Sequence, residues 1–586
     1  LYTPATLVSG RELPMHLGLP TRSVHGLPII EHAEFGRNVP DEAMPDEDKM
    51  NLGKIYHMGK EESANLILNR QAMASHTFIT GSTGTGKSNA VYHLLDEITK
   101  NGQTTFLVVE PAKGEYKNVF GNCTDVQVFG TNPRETPLLR MNPFAFPENI
   151  HILEHIDRLV EIFNACWPMY AAMPAVLKDA IERSYQKVGW DLRNSESEKG
   201  VFPTFFDLLD ILPGVIEESH YSKDTQSDYV GALCTRVKSL TNGIYGSVLC
   251  AEDALTDEAL FDRNVVVDLS RVGSMETKSL LMGILVMKLQ EYRMCSSGMN
   301  SRLRHVTVLE EAHNLLRKTS AEQSQEGANL QGKSVEMLAN AIAEMRTYGE
   351  GFIIADQAPG LLDMSVIRNT NTKIILRLPD EEDRKLVGKS AALKEAQIDE
   401  LSKLPLGVAA VYQNEWPEAV LCKIEAYPMP ENAVYHKPSK MPHEINAEFV
   451  FGQLAVGKEL EPLSISEMEQ LKLWLKRHET VLKPEDDRYL ERVFAGGELD
   501  VAKTRKAVFD FFGGIGTVVD YCAAAKKSLT PRKEFLEQLQ GQYGLKAAAA
   551  DWVLNSVISM GMSLNPDAKA VDNLRTNFEQ QGGRVL

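Results

Sequence analysis

The sequence predicts an α/β fold in which a buried, largely parallel sheet carries a phosphate-binding loop. Three observations predict it. A glycine-rich loop, GSTGTGKS at Gly81–Ser88, stands between a short apolar run and a helix pattern. Four short apolar runs, within TFLVVE, HVTVLEE, FIIAD and NTKIILRLPD, suit strands buried on both faces. Helical patterns alternate with those runs, which is how parallel strands are joined.

At 586 residues the chain exceeds one ordinary core and implies roughly three or four domains. Hydrophobic residues at 43% and charged residues at 24% describe an ordinary globular composition. No uncharged apolar run of about 18 residues occurs. The richest candidate, VFDFFGGIGTVVDYCAAA, is interrupted by Asp510 and Asp520, so no spanning helix and no membrane partner are expected. The N-terminal LYTPATLVSGRELPMHLGL mixes charge with turn residues, unlike a signal peptide, and Leu1 in place of Met implies that a few residues precede it. The seven cysteines are scattered, with no CxxC and no histidine at metal spacing. They read as free thiols in a reducing, cytoplasmic setting. A formal charge of −18 argues against a protein whose whole surface coats nucleic acid, and leaves room for a locally basic channel.

The loop satisfies G-x-x-x-x-G-K-[ST] at every position, and chemistry dictates each one. Gly81, Gly84 and Gly86 let the backbone curl, so that N–H groups from Ser82, Thr83, Thr85 and their neighbours converge on phosphate oxygens. Lys87 places a charge between the terminal phosphates, and Ser88 offers a hydroxyl to Mg2+. The helix NAVYHLLDEITKNG aims its positive end at the same anion and stops at Gly102. ATP with Mg2+ is the expected ligand.

Three further stretches supply polar groups at strand ends. TFLVVE ends in Glu110, which either faces the nucleotide crevice, among the nucleotide-binding residues, or sits at a solvated strand end. HVTVL ends in Glu310-Glu311. Adjacent acids there suit a divalent metal, with Glu310 on the metal side and Glu311 as the base that activates water. The competing reading is an acidic helix start. FIIAD is followed by Gln357, an amide that either senses the γ-phosphate or caps a turn. The run NTKIILRLPD closes the series as a fourth strand containing Arg377. Buried strands alternating with helices in this order give a RecA-like P-loop core.

With these elements in order, the sequence resembles the HerA/FtsK superfamily of hexameric DNA-translocating ATPases, and within it the HerA-like group. The resemblance rests on GSTGTGKS, VVEPAKGEY (where that family usually reads D-x-x-G-E-Y), VLEEAHNLL, EMRTYGEGFIIADQAP and VIRNTNTKIILRLPDEEDRKLV. It covers residues 50–130 and 260–425. It implies a homo-hexameric ring with ATP between subunits, DNA in the central channel and a separate nuclease or other effector as partner. It also implies an arginine near the γ-phosphate. Arg346 matches the family arginine ahead of the sensor strand, and Arg368 and Arg377 are further candidates. Arg70, just before the P-loop strand, stands where a neighbouring subunit could be reached. For each, an ordinary salt bridge or solvated helix charge is the competing reading. Glu replaces Asp at positions 110 and 310, which implies altered metal or nucleotide preference, or slow turnover.

The remaining segments fall around this core. Residues 1–70 suggest a reduced N-terminal β-rich module, with 71–142 and 261–428 as the two parts of the ATPase core. Residues 143–260 read as an all-helical insertion whose aromatics (Phe163, Trp167, Tyr170, Phe205, Phe206) suit a core better than base stacking. SAEQSQEGANLQGK reads as a mobile channel loop flanked by Lys318 and Lys333, or as a plain surface loop. Residues 429–586 read as a helical C-terminal region that stabilises a ring or docks a partner, and its last residues, NFEQQGGRVL, as a tail reaching a neighbouring subunit. Two functions follow. One is an ATP-driven DNA translocase or helicase acting with an effector in DNA processing or bacterial anti-phage defence. The other is an ATP-gated ring that assembles and regulates an effector without sustained translocation.

Overall fold

Strands too apolar to face water dominate the centre of the chain. In a computed structural model they are β3 (Thr77–Thr80), β8 (Asn264–Asp268), β9 (His305–Glu310), β10 (Glu350–Asp356) and β11 (Thr372–Ile375), every residue of which is buried. The other strands are β1 (Lys49–His57), β2 (Lys60–Asn69), β4 (Thr105–Glu110), β5 (Val126–Gly130), β12 (Val408–Gln413) and β13 (Val420–Ile424). A two-residue hairpin, β6 (Trp190–Asp191) with β7 (Glu196–Ser197), completes the set. The structure describes residues 23–25, 32–429, 433–437 and 500–580, with short breaks at 171, 198–200, 220, 252–253, 320–326 and within 501–566.

The chain divides into two units, Leu1–Asn101 with Ala355–Pro428, and Gly102–Ile354 with Met429–Leu586. In the first, the strand order is β2-β1-β13-β12-β11-β3. β11 and β3 run parallel, in register from Thr372 opposite Thr77 to Ile375 opposite Thr80. The neighbours β12, β13, β1 and β2 are antiparallel. Within the stretch expected to form an N-terminal β-rich module, β1 and β2 join the edge of this sheet. β1 pairs with β13, with Gly53 opposite Ile424, and buries Met50, Leu52 and Ile55. A lone hairpin could not bury those side chains, whereas an existing sheet edge can.

In the second unit the order is β10-β9-β4-β8-β5, with β9, β4, β8 and β5 parallel neighbour to neighbour. A buried charged group ties the starts of β9 and β10 to a helix. Arg293, on helix Met275–Ser296, donates to Glu350 at 2.9 Å and to Asp262 at 2.7 Å. His305 lies 2.8 Å from Glu350, and Thr307 donates to the same carboxylate at 2.8 Å. Partnered this way, charges that would be costly in isolation fix the register of two core strands.

Residues 143–260, expected to be all-helical, contain the helices Ile152–Cys166, Met173–Lys187 and Phe205–Glu218 and also the small β6–β7 hairpin. Phe163, Trp167 and Phe205 are buried, while Tyr170 and Phe206 are exposed. The loop expected at SAEQSQEGANLQGK is helical from Gly327, within Gly327–Glu344. Its earlier residues, 320–326, lie outside the described residues. Lys318 and Lys333 are exposed. In the region 429–586, expected to be helical, Pro531–Tyr543 and Ala547–Leu564 are helices. SISEMEQLKLWLKRHETVL, PEDDRYLERVFAG and the final six residues lie outside the described residues, and VAKTRKAVFDFF is described only in part. No helix among the described residues is long and apolar enough to cross a membrane. All seven cysteines are free thiols.

Candidate nucleotide site

β3 delivers the chain to Gly81, where any side chain would collide. A Cβ there would lie 2.7 Å from Thr85 Oγ1 and 2.8 Å from Leu376 Cβ. The loop then turns through Gly84 (φ 76°) and Gly86 (φ 103°), conformations that side chains disfavour. Ser82 donates through both its N–H and its hydroxyl to the Arg377 carbonyl, at 3.0 and 3.1 Å. Thr85 Oγ1 closes the loop on the Ser82 carbonyl at 2.7 Å. Lys87 and Ser88 open the helix Lys87–Thr99, with Lys87 buried and Ser88 half-buried.

Gln357 lies just beyond β10, and its side-chain oxygen accepts a hydrogen bond from the Thr83 hydroxyl at 2.7 Å. The amide thus touches the P-loop itself. Asp356 accepts the N–H of Ala358 at 2.9 Å and shapes the turn that presents Gln357.

The second unit holds the acids. Three neighbouring parallel strands, β8, β4 and β9, end on Asp268, Glu110 and Glu310, all buried. Glu311 follows with φ 44° and ψ 52°, left-handed for a residue with a long side chain. That conformation disfavours Glu by about 1–2 kcal/mol, and such strain concentrates at functional positions. Asn314 holds the turn by donating its side chain to the Glu311 carbonyl at 2.7 Å. His313 Nδ1 stands 3.6 Å from the Glu311 carboxylate.

Glu110 is buried rather than at a solvated strand end, and its two oxygens accept the N–H groups of Glu115 and Tyr116, at 2.7 and 3.1 Å. Burial pushes its pKa up to about 8, the Asp268 and Glu310 charges add to the rise, and the two backbone bonds oppose it. Asp268, which the motif reading passed over, pairs with Lys117 at 2.6 Å, and Lys117 also reaches Glu135 at 2.8 Å. Burial works against the Lys117 charge, but its two carboxylate partners prevail and its pKa is raised. The signal for Asp268 was available, since NVVVDL has the same apolar-run-then-acid form as TFLVVE.

The arginines divide. Arg70 is no free finger: it is buried and donates to the carbonyls of Glu47, Glu97 and Ile98, tying down the far end of the P-loop helix. Arg377 lies two residues past β11 rather than within it. Arg346, Arg368 and Arg377 have exposed side chains and no ion pair among the described residues.

Residues 50–286 match the family described as the central domain of the HerA helicase. Over that region the chain resembles the HerA-type P-loop ATPases. This HerA-like chain is 26% identical over 391 residues to the DNA double-strand break repair helicase HerA of Sulfolobus acidocaldarius, covering 64% of this chain and 69% of that protein. It is 23% identical over 436 residues to a probable helicase of Methanocaldococcus jannaschii, covering 68% and 76% respectively. Among solved structures it resembles VirB4 of Thermoanaerobacter pseudethanolicus, with a TM-score of 0.50 and 18% identity over 66% of this chain and 98% of that one. At that identity the likeness bears on the fold alone, and the RecA-like α/β core expected of this HerA-like chain is the fold observed.

Proposed function

We propose that this HerA-like ATPase hydrolyses Mg2+-ATP as a homo-hexameric ring, moves DNA through its central channel, and serves a separate nuclease or other effector in DNA processing or bacterial anti-phage defence. The observation that carries this reading is the Thr83–Gln357 hydrogen bond. A protein that only binds a nucleotide needs no amide on its phosphate loop, whereas a motor needs a group that registers loss of the γ-phosphate.

In this reading the P-loop N–H groups and Lys87 hold the terminal phosphates, and Ser88 and Glu310 hold Mg2+. Both offer oxygen ligands, the type this hard cation takes, and the bound ion neutralises phosphate charge. Glu311 accepts a proton from water as the water oxygen bonds to the γ-phosphorus. The bond to the β–γ bridging oxygen breaks, and ADP leaves with the electron pair. The strained backbone at Glu311 supports a fixed aim for this carboxylate. Arg346, Arg368 and Arg377, exposed and without ion pairs among the described residues, suit a role toward a neighbouring subunit's phosphates. Lys318 and Lys333, both exposed, suit phosphate contacts with DNA. The helicase names of the relatives favour DNA as the substrate.

The test combines particle mass with ATP hydrolysis in the presence and absence of double-stranded DNA and with displacement of a roadblock on that DNA. A six-fold mass, strong stimulation and directional displacement are expected, and Lys87→Ala is expected to abolish turnover. A DNA-indifferent ring whose effector depends on ATP would replace the motor reading with the ATP-gated scaffold.

A further inference from the structure

Three carboxylates sit side by side at the ends of β8, β4 and β9, and elementary electrostatics forbids leaving them alike. Each has a different partner, and all three partners come from residues 115–117. Asp268 pairs with Lys117 Nζ at 2.6 Å. Glu110 accepts the N–H groups of Glu115 and Tyr116. Glu310 Oε1 accepts the Tyr116 phenol at 2.5 Å, and both side chains are buried.

We infer that Tyr116 is a positioning residue for Glu310, fixing the direction in which that carboxylate meets the Mg2+-ATP substrate. The inference rests on the role proposed above for Glu310. Glutamate at this position, in place of the aspartate usual in the resembling family, adds a rotatable bond between backbone and carboxylate. A short hydrogen bond from a rigid, buried phenol removes that freedom.

The phenol is itself well held. Its ring is 2% exposed, and Tyr116 opens the short helix Tyr116–Phe120. The chain enters that helix through two consecutive left-handed residues, Lys113 (φ 57°) and Gly114 (φ 69°), which turn the next two N–H groups back onto Glu110. A Cβ on Gly114 would lie 2.9 Å from Ser270 Oγ and 3.3 Å from an Asp268 carboxylate oxygen, so the turn packs directly on the end of β8. Strand ends, turn and phenol form one hydrogen-bonded unit.

Tyr116→Phe keeps the ring and removes only the donor. The primary readout is binding of a fluorescent ATP analogue to the full chain as Mg2+ is titrated, which does not require turnover. The Mg2+ midpoint is expected to rise about tenfold, the usual effect of losing a group that orients a metal ligand. Binding without Mg2+ and the melting temperature of the nucleotide-free protein are expected to stay near wild type. In a Glu310→Asp background, where the shorter side chain ends farther from the phenol, Tyr116→Phe is expected to add little. An unchanged midpoint in Tyr116→Phe, or an equal added shift in the Glu310→Asp background, overturns the inference alone. A wild-type protein whose nucleotide binding ignores Mg2+ overturns the functional reading and this inference with it.

Discussion

Glu311 joins a catalytic assignment to a measurable strain, and the two are separable by substitution. Its left-handed backbone, φ 44° and ψ 52°, costs any residue carrying a Cβ about 1–2 kcal/mol. Glycine escapes that cost but loses about 0.5–1 kcal/mol through the greater freedom of its unfolded chain. Comparing Glu311→Gly with Glu311→Ala isolates the backbone, because neither carries the carboxylate. The difference works out to about 0.5–1 kcal/mol in favour of glycine. Glu311→Gln keeps shape and strain while removing the carboxylate proposed as the base. Denaturant unfolding of the nucleotide-free variants, with phosphate release measured alongside, reads both effects. All three variants are expected to lose turnover, with glycine more stable than alanine and Glu311→Gln trapping bound ATP. Hydrolysis at the wild-type rate by Glu311→Gln would refute the base assignment. A glycine variant less stable than the alanine variant would refute the strain.

Other expectations follow from particular contacts. Lys373 is 3% exposed, its ammonium group donates to the carbonyl and the hydroxyl of Thr370, and burial lowers its pKa to about 8. Its folded value lies below the unfolded 10.5, so the unfolded chain binds the extra proton between those limits and stability rises with pH across that window. The rise attributable to Lys373 is about 3 kcal/mol, and Lys373→Met is expected to flatten it when denaturation midpoints are compared at the two ends of the window. Arg293→Met leaves the buried Glu350 without its guanidinium, with only His305 and Thr307 beside it, and is expected to cost roughly 3 kcal/mol of unfolding free energy. Residues 433–437 lie along the Tyr116–Phe120 helix: Tyr435 N–H donates to Asn118 at 3.0 Å, and Asn122 donates to the Val434 carbonyl at 2.9 Å. Replacing both asparagines with alanine is expected to strip the Tyr435 amide of its protection in hydrogen exchange while that of β4 persists.

The P-loop was legible because its chemistry is written in adjacent residues. Two positive-φ glycines, a lysine and a hydroxyl specify a cradle almost without regard to the rest of the chain. The buried strands were legible for a related reason, since VVVD, VTVLE and FIIAD are too apolar to face water. Gln357 was recognised by its place one residue past such a strand. Its contact with Thr83 bridges 274 positions and is invisible to any local pattern. At Glu110 the strand-end position alone did not reveal how the carboxylate is held. Its partners are backbone N–H groups five and six residues on, reached only because Lys113 and Gly114 reverse the chain. Arg70 misled, since exposure cannot be read from charge.

The sequence by itself determined the class of ligand, the order of buried strands and the residues fit to handle phosphate, because loop conformation and strand burial follow from local sterics and local hydrophobicity. Tertiary structure decided which side chain answers to which. It turned Glu110 inward, set Lys117 on Asp268, gave the Tyr116 phenol to Glu310 and added β1 to the edge at β13. These are choices among polar groups of similar chemistry. They are settled by which strand ends lie about 5 Å apart in a sheet, a distance that the linear order of the chain does not contain.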